Sequence, residues 1–181
     1  MERFPLIRDA SGDVKLEALY RDIVANGFGD TVPTNWFTSQ GSRPDILAVT
    51  WPLLKAILVG GRLPASLKQM IAMTLSRQND CRYCETAHTG ALQSMGVPDE
   101  VIRSAAEDPE MREVPPAQRA VLAFALKVAR QPNSITDADH QALRDEGFSD
   151  PEILEVIMVV ALNSFLNIWA DASGIPLDST P

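Results

Sequence analysis

Both cysteines of the chain and one of its two histidines lie within a stretch of eight residues, at Cys81, Cys84 and His88. On a helix, Cys81 and Cys84 are i,i+3 neighbours, and Cys84 and His88 are i,i+4 neighbours, so all three share one face. Two thiols one turn apart can reach disulfide geometry near a helix start, where the backbone relaxes easily. The positive end of the helix dipole favours a thiolate, and a nearby imidazole can take the proton. The spacing therefore predicts a redox-active dithiol with its own base.

Two other interpretations of these residues stay open at this point. Two thiolates and one imidazole make three zinc ligands, but a fourth ligand would have to come from elsewhere in the chain. The thiols could also be buried and inert. A purely structural disulfide is not favoured, because the loop it closes is short and removes little entropy from the unfolded chain. In a reducing compartment, a close cysteine pair is typical of catalysis or metal binding.

The residues around the motif predict the helix that must present it. Asn79 or Asp80 can serve as its N-cap, so we expect a helix over residues 81–95, and Gly96 stops it. The preceding amphipathic segment predicts a helix over 64–77 that carries Gln69 on the flank of its apolar face. There, Gln69 can point either to solvent or to the cysteine helix.

Apolar spacing of the helical period fills most of the rest of the chain, and no segment shows the alternation of a strand. The sequence therefore predicts an all-α protein of about eight helices, packed as a compact bundle. Besides the two helices above, the predicted helical segments are 14–26, 44–59, 98–106, 116–130, 137–146 and 150–172.

Three local features refine this prediction. Pro52 is expected to kink or break the helix over 44–59 near Trp51. Residues 28–42 are rich in Gly, Asn, Thr and Pro and predict a loop, whose aromatic residues Trp36 and Phe37 we expect to pack inside the protein. Thr136 is expected to cap the helix that follows it, with Asp139 in the capping-box position.

Composition and charge narrow the classes of partner. Sixteen basic and twenty-four acidic residues give a net charge of -8, which opposes the binding of nucleic acid. The first thirteen residues lack the charged and apolar regions of a signal peptide, so we expect a cytoplasmic protein. The uncharged run over 156–170 is shorter than the roughly 20 residues that a bilayer requires, so no membrane span is expected.

The motif CxxCxxxH over 81–88, preceded by Asn-Asp, resembles the signature of the AhpD-like group, which includes alkylhydroperoxidases and carboxymuconolactone decarboxylases. The resemblance extends to RPDIL at 43–47, LP at 63–64 and LNSFLN at 162–167. It is strongest to the peroxidase-related branch. The resemblance implies one AhpD-like domain over 1–181, with an N-terminal helix and loop over 1–42 and a family-like core over 43–175.

By motif position, the resemblance implies that Cys84 attacks a peroxide, that Cys81 resolves it to a disulfide, and that His88 belongs to a proton relay. In the family, this relay usually begins with a glutamate twelve residues before the first cysteine, where this chain has Gln69. A glutamine cannot shuttle a proton, so either Glu85 takes that part or the peroxidase activity is weak. Glu85 is i,i+4 to Cys81 and could tune that thiol, or it could be an exposed helix carboxylate.

The expected activity is therefore a thiol-dependent peroxidase that reduces organic hydroperoxides with electrons from a protein or small-thiol reductant, without a metal or another cofactor. Two alternatives within the resemblance are an enzyme similar to carboxymuconolactone decarboxylase, acting on a carboxylated ring or lactone, and a non-enzymatic redox-sensing module. The apolar character of the last helix, together with the resemblance, predicts a homo-oligomer.

Overall fold

A computed structural model of the protein describes residues 3–178. Within this range the chain forms nine α-helices, one π-helical turn and one 3₁₀ turn, and it contains no β-strand, which confirms the all-α prediction. The helices are α1 (Val14–Ala25), α2 (Asn35–Thr38), α3 (Pro44–Leu54), α4 (Ala65–Gln78), α5 (Arg82–Ser94), α6 (Asp99–Glu107), α7 (Pro116–Arg130), α8 (Asp137–Asp145) and α9 (Asp150–Ser173). The π turn is Lys55–Val59 and the 3₁₀ turn is Pro132–Ser134.

Helix α4 lies at the centre of the bundle. It packs most extensively against α5, and also against α9 and α7. Ten consecutive residues of α4, from 67 to 76, are buried, because neighbouring elements cover it on all sides. Any side chain that α4 directs towards α5 is therefore held in the interior.

Helix α9 is long and apolar enough to cross a membrane by length and composition alone. In the structure it packs against α4, α5 and α7 as a core helix, and 56% of its most apolar window is buried. Its capping box, formed by Ser149 and Glu152, fixes its start, and Gly174 in the left-handed conformation ends it.

The capping box predicted at Thr136 and Asp139 is confirmed, and the helix α7 has the predicted bounds. The start of the cysteine helix is different from the prediction. It begins at Arg82, with Cys81 in the N-cap position and no side-chain cap. Asp80 cannot act as the N-cap because its backbone is in the left-handed region, with φ of 56°.

The break predicted near Trp51 does not occur there, because α3 continues through Pro52 to Leu54, and the backbone changes to the π turn at Lys55. Proline lacks an N–H donor, so α3 has one internal hydrogen bond fewer at this position. The π turn is tied to α4 by Lys68, whose ammonium group donates hydrogen bonds to the carbonyl oxygens of Ile57 and Gly60. Lys68 also pairs with Glu155 of α9 at 3.3 Å.

The segment predicted as a loop over 28–42 contains the one-turn helix α2, so that prediction is wrong for residues 35–38. Trp36 and Phe37 are buried as expected. Their rings pack edge to face at 5.1 Å, and Phe28 and Trp51 extend this aromatic cluster. The cluster joins α2 to α3 through Phe37 and Trp51.

Candidate functional site

The two thiols lie together at the start of α5. Both cysteines are reduced and buried, with Cys81 fully buried and Cys84 3% exposed. Cys81 is the N-cap of the helix and Cys84 is one turn further on, so the predicted spacing of the two thiols is kept although the predicted cap is not. The Cys81 thiol donates to the backbone carbonyl oxygen of Asn167 at 4.0 Å.

The interaction between the neighbouring thiols makes their pKa values unequal. The contact with Cys81 lowers the pKa of Cys84, more than burial raises it, and the side chain of Asn167 lowers it further. The same contact, followed by burial, raises the pKa of Cys81. Because a thiolate accepts a hydrogen bond from a thiol, the arrangement favours a Cys84 anion beside a protonated Cys81.

His88 lies one turn beyond Cys84 and is buried. Its Nδ1 is 2.6 Å from Oε1 of Gln69 on α4. Because an amide oxygen only accepts, Nδ1 carries the hydrogen in the neutral ring and Nε2 is left with a free lone pair. Burial lowers the pKa of His88 to about 4, against a smaller opposing effect of Asn163. The imidazole is therefore neutral near pH 7 and can accept a proton at Nε2.

Of the five predicted site residues, the structure brings four together: Cys81, Cys84, His88 and Gln69. Gln69 faces the cysteine helix rather than solvent, which decides between the two orientations left open by the sequence. Glu85 is not part of this group. It points away from the thiols and forms an ion pair with Arg77 at 2.8 Å on the protein surface.

Buried polar side chains of α9 lie next to the thiols. Asn167 donates a hydrogen bond to the hydroxyl of Ser76 at 3.0 Å and accepts one from Asn79 at 2.9 Å. Asn163 is also buried, and its Oδ1 has no hydrogen-bond partner. The sequence pattern LNSFLN contains both asparagines, but nothing in the sequence showed that they lie behind the cysteines.

A pocket of about 670 Å³ reaches Cys84 and His88 from the side of the α1–α2 loop. Its wall is mostly apolar and aromatic, with Phe28, Trp36 and Phe37 on one side and Leu54 and Leu58 on another. Cys84, His88 and Gln69 line it, whereas Cys81 does not. A bulky organic molecule can therefore approach Cys84 but not Cys81 through this opening.

The pocket wall also includes residues that sequence reasoning missed. The hydroxyl of Tyr83, the residue next to Cys84, donates a hydrogen bond to Asp178 Oδ2 at 2.6 Å. Burial, followed by the negative charge of Asp178, raises the pKa of Tyr83. No local pattern could have indicated this pair, because ninety-five residues separate its members.

Among residues 3–178, no group of three or more His, Cys, Asp and Glu side chains is arranged to hold a metal ion. The sequence left zinc open if a fourth ligand could be found. In the described part of the chain, the polar groups nearest to the thiols are Asn167 and the carboxylate of Asp171, both on α9, and they form no metal-binding group with the cysteines.

The sequence model of the carboxymuconolactone decarboxylase family matches residues 44–127, which contain α3 to α5 and all five predicted site residues. The chain also shares its fold with a solved structure of the AhpD core, an uncharacterized peroxidase-related protein from Ralstonia eutropha JMP134. The identity is 26% over 98% of this chain and 93% of that one, with a TM-score of 0.88. Residues 44–127 thus resemble the carboxymuconolactone decarboxylase family, and the whole chain is similar to an AhpD-like peroxidase-related protein.

Two further structures show how widely this AhpD-like fold is used. An uncharacterized peroxidase-related protein from Silicibacter sp. TM1040 is 21% identical over 98% of this chain and 92% of that one, with a TM-score of 0.86. The ligand-free debrominase Bmp8 is 25% identical over 96% of this chain and 92% of that one, with a TM-score of 0.77. None of the proteins with curated functions matches the sequence.

A variant of the same debrominase, solved with 2,3,4-tribromopyrrole, is 23% identical over 99% of this chain and 95% of that one, with a TM-score of 0.79. A protein with this fold can therefore be an enzyme that acts on a halogenated ring. The similarity shows the fold of this chain, while its activity depends on its own site.

Proposed function

We propose that this protein is a thiol-dependent peroxidase that reduces bulky organic hydroperoxides in the cytoplasm, with Cys84 as the nucleophile. The observation that carries the proposal is the asymmetry of the dithiol. Cys84 lines the pocket and has a lowered pKa, whereas Cys81 is fully buried, does not line the pocket and has a raised pKa. An electrophile that enters the pocket meets the more nucleophilic sulfur first.

The reaction has three steps. The Cys84 thiolate attacks the terminal oxygen of the hydroperoxide, the O–O bond breaks, and the alcohol leaves after it takes up a proton. The Cys84 sulfenic acid then condenses with the Cys81 thiol, which forms the disulfide and releases water. An external dithiol, on a small molecule or a protein, reduces the disulfide by exchange and restores both thiols.

His88 supplies the proton transfer in the first step. Its neutral Nε2 accepts the thiol proton of Cys84, directly or through a water, and returns it to the leaving alkoxide. In the described residues no hydrogen bond joins the imidazole to either sulfur, so the transfer uses a bridging molecule or a small movement of the ring. Gln69 fixes the ring through Nδ1 and so keeps Nε2 free for this task.

Two cysteine variants test the assignment. Reduced Cys81→Ser protein should react once with cumene hydroperoxide and then carry a sulfenic acid, which dimedone traps with the corresponding increase in mass. Cys84→Ser protein should consume no hydroperoxide. If the Cys84→Ser protein is oxidised at the wild-type rate, or if dimedone labels Cys81 in it, the proposal is wrong.

A second candidate, reductive removal of a halogen from an aromatic ring, is favoured by the aromatic wall beside Cys84 and by the likeness to a debrominase. For one bromine, the ring carbon gains a hydrogen, the two thiols lose two electrons and become a disulfide, and bromide and one proton are released. The same dithiol supplies the electrons in both reactions.

The two activities can be separated by stoichiometry. Reduced protein incubated with 2,3,4-tribromopyrrole should release one bromide for each disulfide formed if it is a dehalogenase. Thiols that stay reduced, with no free bromide, would exclude this candidate and leave the peroxidase proposal intact.

We also propose that the protein is a homo-oligomer that associates through α9. Five apolar residues at intervals of three and four are exposed along one face of this helix, without a charge among them. They are Leu154, Met158, Ala161, Phe165 and Ile168. Ile168 is 69% exposed, which is unusual for an aliphatic side chain in such a row.

Ile168→Asp should lower the mass seen by sedimentation velocity, because a buried interface does not tolerate an unpaired carboxylate. Ala142→Asp, on an exposed face of α8, is the matched control and should sediment like the wild type. A wild-type protein that sediments as a monomer would refute the proposal.

A further inference from the structure

The C-terminal segment after α9 turns back over the pocket and is fastened at its edge. Ile175 is buried, and the backbone of residues 176 and 177 is bound by one side chain, that of Asn35. The amide of Asn35 donates to the carbonyl oxygens of Pro176 and Leu177 at 3.2 and 3.3 Å. These contacts deliver the next residue, Asp178, into the pocket wall.

The carboxylate of Asp178 is held by two donors that belong to the pocket rather than to the tail. Its Oδ1 accepts from the backbone N–H of Asn35 at 2.6 Å, and its Oδ2 accepts from the Tyr83 hydroxyl at 2.6 Å. Tyr83 is only 8% exposed, and the backbone N–H of Trp36 donates to its hydroxyl at 3.1 Å. Because the hydroxyl oxygen accepts from Trp36, its hydrogen points to the Asp178 carboxylate.

The charged group near the Asp178 carboxylate favours an anion at this position. Arg8 is the only cationic residue in the pocket wall, and its guanidinium donates to Asn35 Oδ1 at 3.0 Å. The side chain of Asn35 thus links Arg8 to the tail, and the arginine strengthens the hydrogen bonds that this amide donates to the carbonyl oxygens of Pro176 and Leu177. Without the Asp178 carboxylate, Tyr83 would lose its only acceptor among the described residues, and the positive charge of Arg8 would be less balanced.

We propose that Tyr83 and the N–H of Asn35 form a carboxylate-binding subsite of the pocket, which Asp178 occupies in the resting protein and from which a ligand carboxylate displaces it. The ligand class is an apolar or aromatic molecule that carries one carboxylate. This proposal rests on the proposed function in one respect, which is that a substrate binds in this pocket.

The size of the pocket explains why such a ligand can compete with the tail. A tethered carboxylate is present at a high effective concentration, so a simple anion such as acetate would not displace it. A ligand with an apolar body gains burial against Phe28, Trp36 and Phe37 in addition to the two hydrogen bonds. Its carboxylate would then anchor it beside Cys84, because Tyr83 and Cys84 are consecutive in the chain.

The test compares 4-phenylbutyrate with 4-phenylbutanol, which have the same apolar body, by calorimetry on the reduced protein. Asp178→Ala should increase the affinity for the acid at least tenfold and leave the affinity for the alcohol nearly unchanged, because only the acid competes with the removed carboxylate. Glu146→Ala, an exposed change of the same charge, should alter neither affinity. This control separates the subsite from the general repulsion of anions by a protein of net charge -8.

Tyr83→Phe in the Asp178→Ala background should lower the affinity for the acid about tenfold, which is the effect of one charge-assisted hydrogen bond. The affinity for the alcohol should not change. In the wild-type protein, the acid should also shift the amide NMR signals of Leu177 and Asp178, because the tail is released. The proposal is overturned if the acid and the alcohol respond equally to Asp178→Ala, or if these signals do not move when the acid is bound. Neither measurement depends on peroxidase activity, so failure of the subsite and failure of the proposed reaction are distinguishable.

Discussion

Gln69→Glu restores the carboxylate that the family relay usually has, and the structure gives the size of the expected effect. In the wild-type protein, burial holds the pKa of His88 at about 4, below the ordinary value of 6.5. The substituted side chain would place a carboxylate where Gln69 Oε1 now lies, 2.6 Å from Nδ1. An opposite charge at such a distance raises the pKa of a base by roughly 1–3 units, so we expect about 5 to 7 in the variant.

The same shift has a consequence for stability. As the pH falls from about 6.5 to about 4, the unfolded chain takes up a proton at His88 while the folded wild-type protein does not, so the free energy of unfolding decreases. This loss amounts to about 3 kcal/mol at the lower end of the range. In Gln69→Glu the folded state also becomes protonated, and the loss over the same pH range should shrink by roughly 1–3 kcal/mol.

The direct assay is an NMR titration of the histidine ring carbons. The chain has only two histidines, so two sets of signals are expected, and His140→Gln assigns them. Gln69→Leu, which removes the acceptor without adding a charge, is the matched control and should not raise the His88 midpoint. A midpoint in Gln69→Glu at or below the wild-type value would refute the reasoning. If the peroxidase proposal is also right, turnover of cumene hydroperoxide should rise in the same variant.

Three further outcomes are expected. Cys81→Ala removes the thiol that interacts with Cys84, so the midpoint of iodoacetamide alkylation at Cys84 should move to higher pH; an unchanged midpoint would mean that the thiol contact does not tune it. Lys68→Met leaves the buried carboxylate of Glu155 without its counter-ion, which should lower the free energy of unfolding by roughly 3–5 kcal/mol in urea denaturation; a wild-type midpoint would contradict this. Glu85→Gln should leave thiol alkylation unchanged, because its carboxylate faces a surface arginine; slower or faster alkylation would bring Glu85 back into the site.

The parts of the fold that the sequence predicted are those with local causes. Helix α7 has the predicted bounds because Pro116 suits its first turn and the Gln131-Pro132 step ends it. The capping box at Thr136 likewise depends on residues three apart. The shared face of Cys81, Cys84 and His88 follows from helical spacing alone, so this part of the site was predictable too.

The remaining features depend on contacts between distant segments. Asp80 has the side chain of a good N-cap, yet the turn from α4 to α5 requires a left-handed residue there, and Cys81 takes the cap position. Gln69 could have faced solvent, and only the close packing of α4 on α5 directs it to His88. The carboxylate of Asp178 reaches Tyr83 because the chain reverses after α9, which no helical pattern reveals.

The roles of the two cysteines can be argued without reference to relatives. A dithiol that reduces an electrophile needs one sulfur that meets the substrate as an anion and one that stays protonated until the first has reacted. Here the interaction between the thiols favours ionisation of Cys84, and the pocket gives access to the same residue. If the pocket opened onto one cysteine while the other had the lowered pKa, the substrate would reach the less reactive thiol. The more reactive thiolate would then meet no electrophile. The agreement of ionisation and access at Cys84 is the reason that a reductive chemistry, whether on an O–O bond or on a carbon–halogen bond, suits this site.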